Sequence, residues 1–322
     1  MHINIVIAGL ALVVASPIAA AAPNCLMSEN DSAWVKSSLA AWQEVSTERM
    51  KLAAHRAPTI LFFDAKCRFE RASGSQAWNG EPHSGTVRLP DGNEAPAQVT
   101  SFAGRDEKTK SDFFVMALPS VWQAAKIPIA TDPKGLTAVF LHEFSHTRQI
   151  EPLKSVFAAA NAARKMDDDT NDDSLQKHFQ SDPAYVAVAE KEMDLLYRAA
   201  AEPDDAAARK LAAQALALIE ARQKRWFVGD EAYWKNYDDL FLTMEGFGQW
   251  VAYAWLADPR GGGMEAGAAR DKMKGTKWWS QTEGLGLFLV IDRFVPDWTR
   301  RAFAPTPALG IDLLRLAAAP AA

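Results

Sequence analysis

The chain has 322 residues, 48% of them hydrophobic and 23% charged, with a formal net charge of −5. Such a composition belongs to a folded protein with a sizeable core, not to a disordered or fibrous chain. The acidic balance and the lack of any extended run of Lys or Arg argue against a nucleic-acid or anionic-membrane partner.

At the N-terminus an apolar stretch from Ile3 to Val14 gives way to small residues, and Ala20-Ala21-Ala22 fits an A-x-A cleavage site. Residues 1–22 are therefore expected to be a bacterial-type signal peptide. That places the mature chain in the periplasm or outside the cell, with no membrane contact after cleavage. The alternative is an uncleaved anchor, because Ile3 to Ala22 is just long enough to span. Cys25 and Cys67 are the only cysteines. They are too few for a cysteine zinc site. In an oxidising compartment they can pair and tie the N-terminal segment to the end of an early strand.

Residues 31–54 carry a helical pattern, with apolar positions near Trp34, Leu39, Trp42, Val45 and Met50. Residues 58–122 read as a small, mostly antiparallel sheet. "PTILFFDAKCRF" is a β-type run, Asp91-Gly92 marks a hairpin turn, and 112–122 is a strand ending near Pro119. After Thr131 the pattern becomes helical. Asp132 is an N-cap and Pro133 the first helical residue, and Pro152 stops a helix expected to run to about Ile150. An acidic loop over 165–183 precedes helical patterns at 184–200, 205–227, 237–256 and 284–294, and the end, 315–322, is expected to fray. The expected class is α+β. A small sheet in an N-terminal part, 23–130, packs against a larger helical part, 131–322. Eleven tryptophans call for a large packed interior or an aromatic-lined cleft.

The helix from Pro133 contains "HEFSH". Residues four apart lie one above the other on a helix, so His142 and His146 can direct imidazole nitrogens at one point. Glu143 lies next to that point and can take a proton from a metal-bound water and later deliver it to a leaving group. This is the HExxH arrangement of a zinc hydrolase. A structural role for the histidines on a buried helix is the alternative, although buried imidazoles need partners and a metal is one.

A hydrolytic zinc takes three protein ligands and keeps a position open. The sequence after His146 lacks the glycine and third histidine of the metzincin pattern, so a carboxylate from a later helix is expected. Glu245 in "LFLTMEGFGQWVAYAW" is the first candidate, 99 residues beyond His146, with the intervening helices as an inserted hairpin. Glu283 in a second Glu-Gly is its rival, while Glu190 and Glu192 read as solvated-face residues. Gln249, one turn beyond Glu245, can orient a ligating histidine or simply face solvent. Tyr237, Tyr253 and His178 are possible oxyanion donors between which spacing does not choose. The "DDDTNDD" run has Asp167, Asp169 and Asn171 in alternation, but Asp172 and His178 at its sixth and twelfth positions defeat an EF-hand reading. A solvated loop able to cover the site is expected instead.

HEFSH followed by Glu245-Gly246 and an apolar helix resembles the gluzincin zinc metallopeptidases. The likeness covers these short motifs and the order of elements. It implies a zincin-like fold and one zinc ion held by His142, His146 and Glu245, with Glu143 as general base. It also implies a Glu-Gly that opens the third-ligand helix, and the 112–122 strand as an edge along which a peptide or protein substrate lies. An ordinary core strand is the alternative for 112–122. Two other functions fit the same residues: a zinc hydrolase of non-peptide substrates, and a catalytically silent, zinc-stabilised envelope binding protein.

Overall fold

The computed structural model describes residues 25–164, 170–275 and 277–320. The expected signal peptide lies outside them, as do residues 165–169 of the acidic loop. Among the described residues no helix is long and apolar enough to cross a membrane.

The architecture is mixed α+β. Helix α1 (Glu29–Glu44) runs directly into a π-helical turn, Val45–Arg49, which ends the helical pattern earlier than expected. Seven strands follow: β1 (Thr59–Phe63), β2 (Cys67–Arg71), β3 (Asn79–Pro82), β4 (Thr86–Arg88), β5 (Glu94–Pro96), β6 (Ser101–Asp106) and β7 (Ser111–Ala117). Five of them form one sheet in the order β3-β2-β1-β7-β6, and β4 and β5 form a separate hairpin whose turn contains Asp91-Gly92. Every pairing is antiparallel except β1 with β7, which is parallel. β7 is therefore an interior strand, buried from Phe113 to Ala117, and the edge facing the helical part is β6. This corrects the assignment of 112–122 as the edge. Five successive buried side chains suit a strand covered on both faces, and an edge strand rarely needs them.

The helices are α2 (Pro119–Ala124), α3 (Pro133–Ser145), α4 (Lys154–Ala163), α5 (Ser174–Phe179), α6 (Pro183–Ala201), α7 (Asp205–Trp226), α8 (Trp234–Ala257), α9 (Ala266–Lys274), α10 (Trp279–Phe294), α11 (Trp298–Ala302) and α12 (Gly310–Ala318). The expected inserted hairpin is α6–α7, which packs on α10 and α12. Helix α8 is the hub, lying against α3 on one side and α10 on the other. The larger of two apolar clusters runs through sheet and helices, from Trp34 to Ala317, and a second joins Leu153, Ala160, Tyr185 and Leu240. The C-terminus does not fray at 315: Leu313, Leu314 and Ala317 are buried, and Arg209 donates to the Ala317 and Ala319 carbonyls that end α12.

The Cys25–Cys67 disulfide forms, with Cα atoms 5.7 Å apart, and ties the first described residue to the start of β2. Gly80 on β3 makes room for it, because a Cβ there would meet the Cys25 carbonyl oxygen at 2.3 Å.

Candidate metal centre

The motif helix has two faces with separate duties. Phe140 and Phe144 stack at 5.0 Å, and Phe114 of β7 packs edge-on against both, at 5.4 and 5.1 Å. Two residues along an α-helix rotate the side chain by roughly 200°. Docking the phenylalanines on the sheet therefore turns His142 and His146 away from it, toward α8. Asp132 caps α3 as expected, accepting from the Lys134 amide at 3.0 Å. The helix stops at Ser145 and tightens into a 3-10 turn, His146–Arg148, instead of reaching Ile150.

Three side chains converge. The Nε2 atoms of His142 and His146 are 3.3 Å apart, and Glu245 places Oε2 at 3.1 Å from the first and Oε1 at 3.6 Å from the second. All three residues are buried, and the three potential ligand atoms lie within 4.8 Å of one another. Glu245 does not open its helix. It sits near the middle of α8, because the apolar pattern begins eleven residues earlier at Trp234. His146 Nδ1 donates to Gln149 Oε1 at 2.7 Å, which leaves the Nε2 lone pair facing Glu245 and His142. Gln149 in turn donates to the Thr243 carbonyl at 3.4 Å. The residue that orients a histidine is thus Gln149, not Gln249. Gln249 instead donates to Gln281 at 3.0 Å, and the Gln281 side chain hydrogen-bonds Glu245.

The glycines of "EGFG" explain how the helices come close enough. A Cβ on Gly248 would meet the His142 ring at 2.8 Å, so that position must be bare for the imidazole to lie flat against α8. A Cβ on Gly246 would meet the Gly284 carbonyl oxygen at 2.6 Å. The two Glu-Gly pairs are thus the two sides of one close α8–α10 crossing.

That crossing separates the rival carboxylates. Glu283 accepts from Arg222 at 3.3 Å, in a buried cluster that also holds Glu192 at 2.8 Å and Asp238 at 3.2 Å from the same guanidinium. Arg222 further donates to the Tyr185 hydroxyl at 2.7 Å. Glu283 therefore faces away from the histidines. Glu192, read from sequence as solvated, is fully buried in this cluster, whereas Glu190 is exposed. None of the three oxyanion candidates lines the cleft. Tyr237 donates to the Arg164 carbonyl at 2.9 Å, His178 pairs with Glu231 at 3.3 Å, and Tyr253 lies near Arg270 and Asp292.

The electrostatics follow from burial. Burial alone would depress the His142 imidazole, but the hydrogen bond and charge of Glu245 outweigh it and hold the pKa at about 9. His146, also buried, is pulled below its usual value. Burial raises Glu143 to about 7, opposed by the charge of His142 and assisted by that of Glu245. Asp172 is likewise raised to about 7 by burial and then by Glu245. This aspartate comes from the acidic loop, whose described end reaches the cleft. Its composition signalled exposure, and only the return of the chain over α8 brings it to the site.

A metal fits these residues. Two imidazole nitrogens and a carboxylate crowd their lone pairs together in a buried site, which is unfavourable unless a proton or a cation lies between them. The N,N,O set could hold a divalent metal ion with a position left open toward the cleft. His142 Nδ1 has no hydrogen-bond partner among the described residues.

The group forms the floor of a cleft of about 700 Å³. One wall is the edge strand β6, from Ser101 to Arg105, and the other is α4 with Lys154, Phe157 and Asn161. Glu143 lines the floor beside the histidines and keeps part of its surface accessible. No tryptophan lines the cleft, so the eleven serve elsewhere in the fold. Compared with known proteins, the chain matches no family model, no curated protein and no solved structure.

Proposed function

We propose that the protein is an exported single-zinc hydrolase of gluzincin type, with peptide bonds as its substrate. The observation that carries this reading is the convergence of His142, His146 and Glu245 at the floor of a cleft, with Glu143 beside them. His142, His146 and Glu245 would hold the zinc, which when bound polarises a carbonyl and makes a water acidic near neutral pH. Glu143 accepts the proton of the attacking water and passes it to the leaving group. Burial raises this carboxyl and so makes it a better proton acceptor than an exposed one. Gln149 and Gln281 hold His146 and Glu245 in place, so the ligands need little reorganisation.

Peptide is favoured over other substrates by the wall of the cleft. β6 ends the sheet, so one row of its backbone amides and carbonyls is left without a strand partner, alongside the candidate ligands. An extended peptide can add to such an edge as a further strand. A catalytically silent zinc protein has no use for a carboxylate aimed at an open position.

The test is Glu143→Gln, assayed for zinc content and for cleavage of a peptide library beside the wild type. Zinc at about one per chain in both, with cleavage lost in the variant by a factor of about 10² or more, is the expected result. Equal cleavage by the variant would remove Glu143 from the chemistry. Zinc in both proteins with no cleavage by either would favour a non-peptide substrate.

A further inference from the structure

Behind the motif helix lies a second cavity, of about 450 Å³, which shares no lining residue with the metal cleft. Its charged lining is of one sign. Arg56, Arg71, Arg148 and His55 all reach it, and no Asp or Glu lines it. Among the described residues, no carboxylate lies within ion-pairing distance of any of the three arginines, whereas most other arginines of the protein are paired. Arg148 donates to the Ala53 carbonyl at 3.3 Å and leaves its buried Nε without a partner. The Arg71 guanidinium lies over the face of Trp78, 5.2 Å away. Asp112, the carboxylate whose charge reaches His55, is engaged by Arg105 at 3.4 Å.

Arginines that line one cavity, partly desolvated and without counter-charge, are unfavourable there, and burial lowers the pKa of both Arg71 and Arg148. A cluster of this kind is stabilised by an anion that supplies the missing acceptors. The remainder of the cavity wall mixes neutral polar side chains, Gln43, Gln76 and Thr147 among them, with an apolar part to which Leu39, Trp42 and Phe144 contribute. The wall also includes Ser46 and Thr47 of the π-helical turn, and the chain leaves that turn through Lys51 at φ +53°. A π-helical turn is rare in proteins and is frequent at functional sites. The volume matches that of small-molecule sites.

We propose that this cavity binds an amphiphilic organic anion, a carboxylate or phosphate group carried on an apolar body. The charged group lies between Arg71 and Arg148, with Arg56 at the rim, and the apolar body packs toward Trp42 and Phe144. Because the cavity is separate from the cleft, occupancy does not compete with the hydrolytic substrate.

The experiment is calorimetric titration of the intact protein with hexanoate, hexyl phosphate, inorganic phosphate and hexan-1-ol, followed by the same titrations on Arg71→Gln/Arg148→Gln. One saturable site for hexanoate or hexyl phosphate is expected, with hexanol and inorganic phosphate each weaker by about tenfold or more. The better of the two hexyl ligands identifies the head group. The double variant is expected to lose about tenfold or more in affinity while keeping its zinc, and to melt no lower than wild type without ligand, since it sheds uncompensated charge. Arg56→Gln, at an exposed position, weakens binding in the same direction and serves if the double variant does not fold. The proposal is overturned if neither hexyl anion saturates, if hexanol or inorganic phosphate binds equally well, or if the arginine variants bind as wild type does.

Discussion

Gly248→Ala separates the metal centre from the fold. The new methyl carbon would sit 2.8 Å from His142 Nδ1, 2.9 Å from Cε1 and 3.1 Å from Cγ, against the body of a buried ring. Ordinary contact begins near 3.4 Å, so the imidazole must move by about 0.6 Å. Metal–ligand distances tolerate about 0.2 Å. The ring has little freedom to move, since Gly248 lies against its face and Glu245 holds its Nε2. Overpacking of this size costs about 1–3 kcal/mol, and replacing a mid-helix glycine by alanine returns about 1 kcal/mol, so folding is weakened by at most about 2 kcal/mol. Zinc affinity is expected to fall by about 10–100-fold, the range seen when the support of a ligand is disturbed. Gly246→Ala is the control. Its methyl would meet the Gly284 backbone at 2.6 Å, forcing α8 and α10 apart, and stability should fall more. Zinc competition with a chelating dye and urea denaturation of the metal-free proteins give the two readouts. A folded Gly248→Ala that keeps wild-type zinc affinity refutes the argument that this glycine exists to seat His142.

Other outcomes follow from the same geometry. Glu245→Ala should abolish stoichiometric zinc, while Glu283→Ala should keep it and cost about 1–3 kcal/mol in a urea melt, because it strips an acceptor from buried Arg222; zinc loss from the second variant alone would reverse the ligand assignment. Reduction of the Cys25–Cys67 bond, which spans 42 residues, should lower stability by about 4 kcal/mol, and a melting curve unchanged by reductant would contradict it. The pH dependence of zinc affinity has a fixed sign. His142 carries its proton up to about 9 in the protein alone, so zinc must displace that proton. Affinity should therefore rise about tenfold per pH unit from 7 toward 9 and then level off. In the metal-free protein the stabilisation from protonated His142 is complete below its unfolded pKa of 6.5 and is lost as pH rises through about 9. The melting increment given by zinc should accordingly be larger at pH 9 than at pH 6.5, and an increment that shrinks with pH would contradict the His142–Glu245 pairing.

The elements whose signals are local were legible before the fold. The start of α3 at Asp132-Pro133, the histidine pair at helical spacing and the β4–β5 turn at Asp91-Gly92 each depend on neighbours within one turn of chain. Where a helix ends was less legible. Pro152 permits a helix to Ile150, but the chain tightens at His146 once that residue is held between Gln149 and Glu245. Ala317 and Ala318 carry no pattern of their own and are helical in α12, which covers α7 and α10.

The HExxH spacing by itself determined that two imidazoles share a helix face with a carboxylate beside them, because 3.6 residues per turn requires it. It could not determine which distant carboxylate completes the group. Glu245-Gly246 and Glu283-Gly284 have the same local sequence and the same need for a close helix crossing. Only the tertiary structure decided between them, by packing α8 on α3 and leaving Arg222 to the carboxylates behind the crossing. The same holds for the edge strand. Strand order depends on pairings between residues far apart in sequence, so composition marked a strand over 112–122, ending near Pro119, while only the assembled sheet put β6 along the cleft.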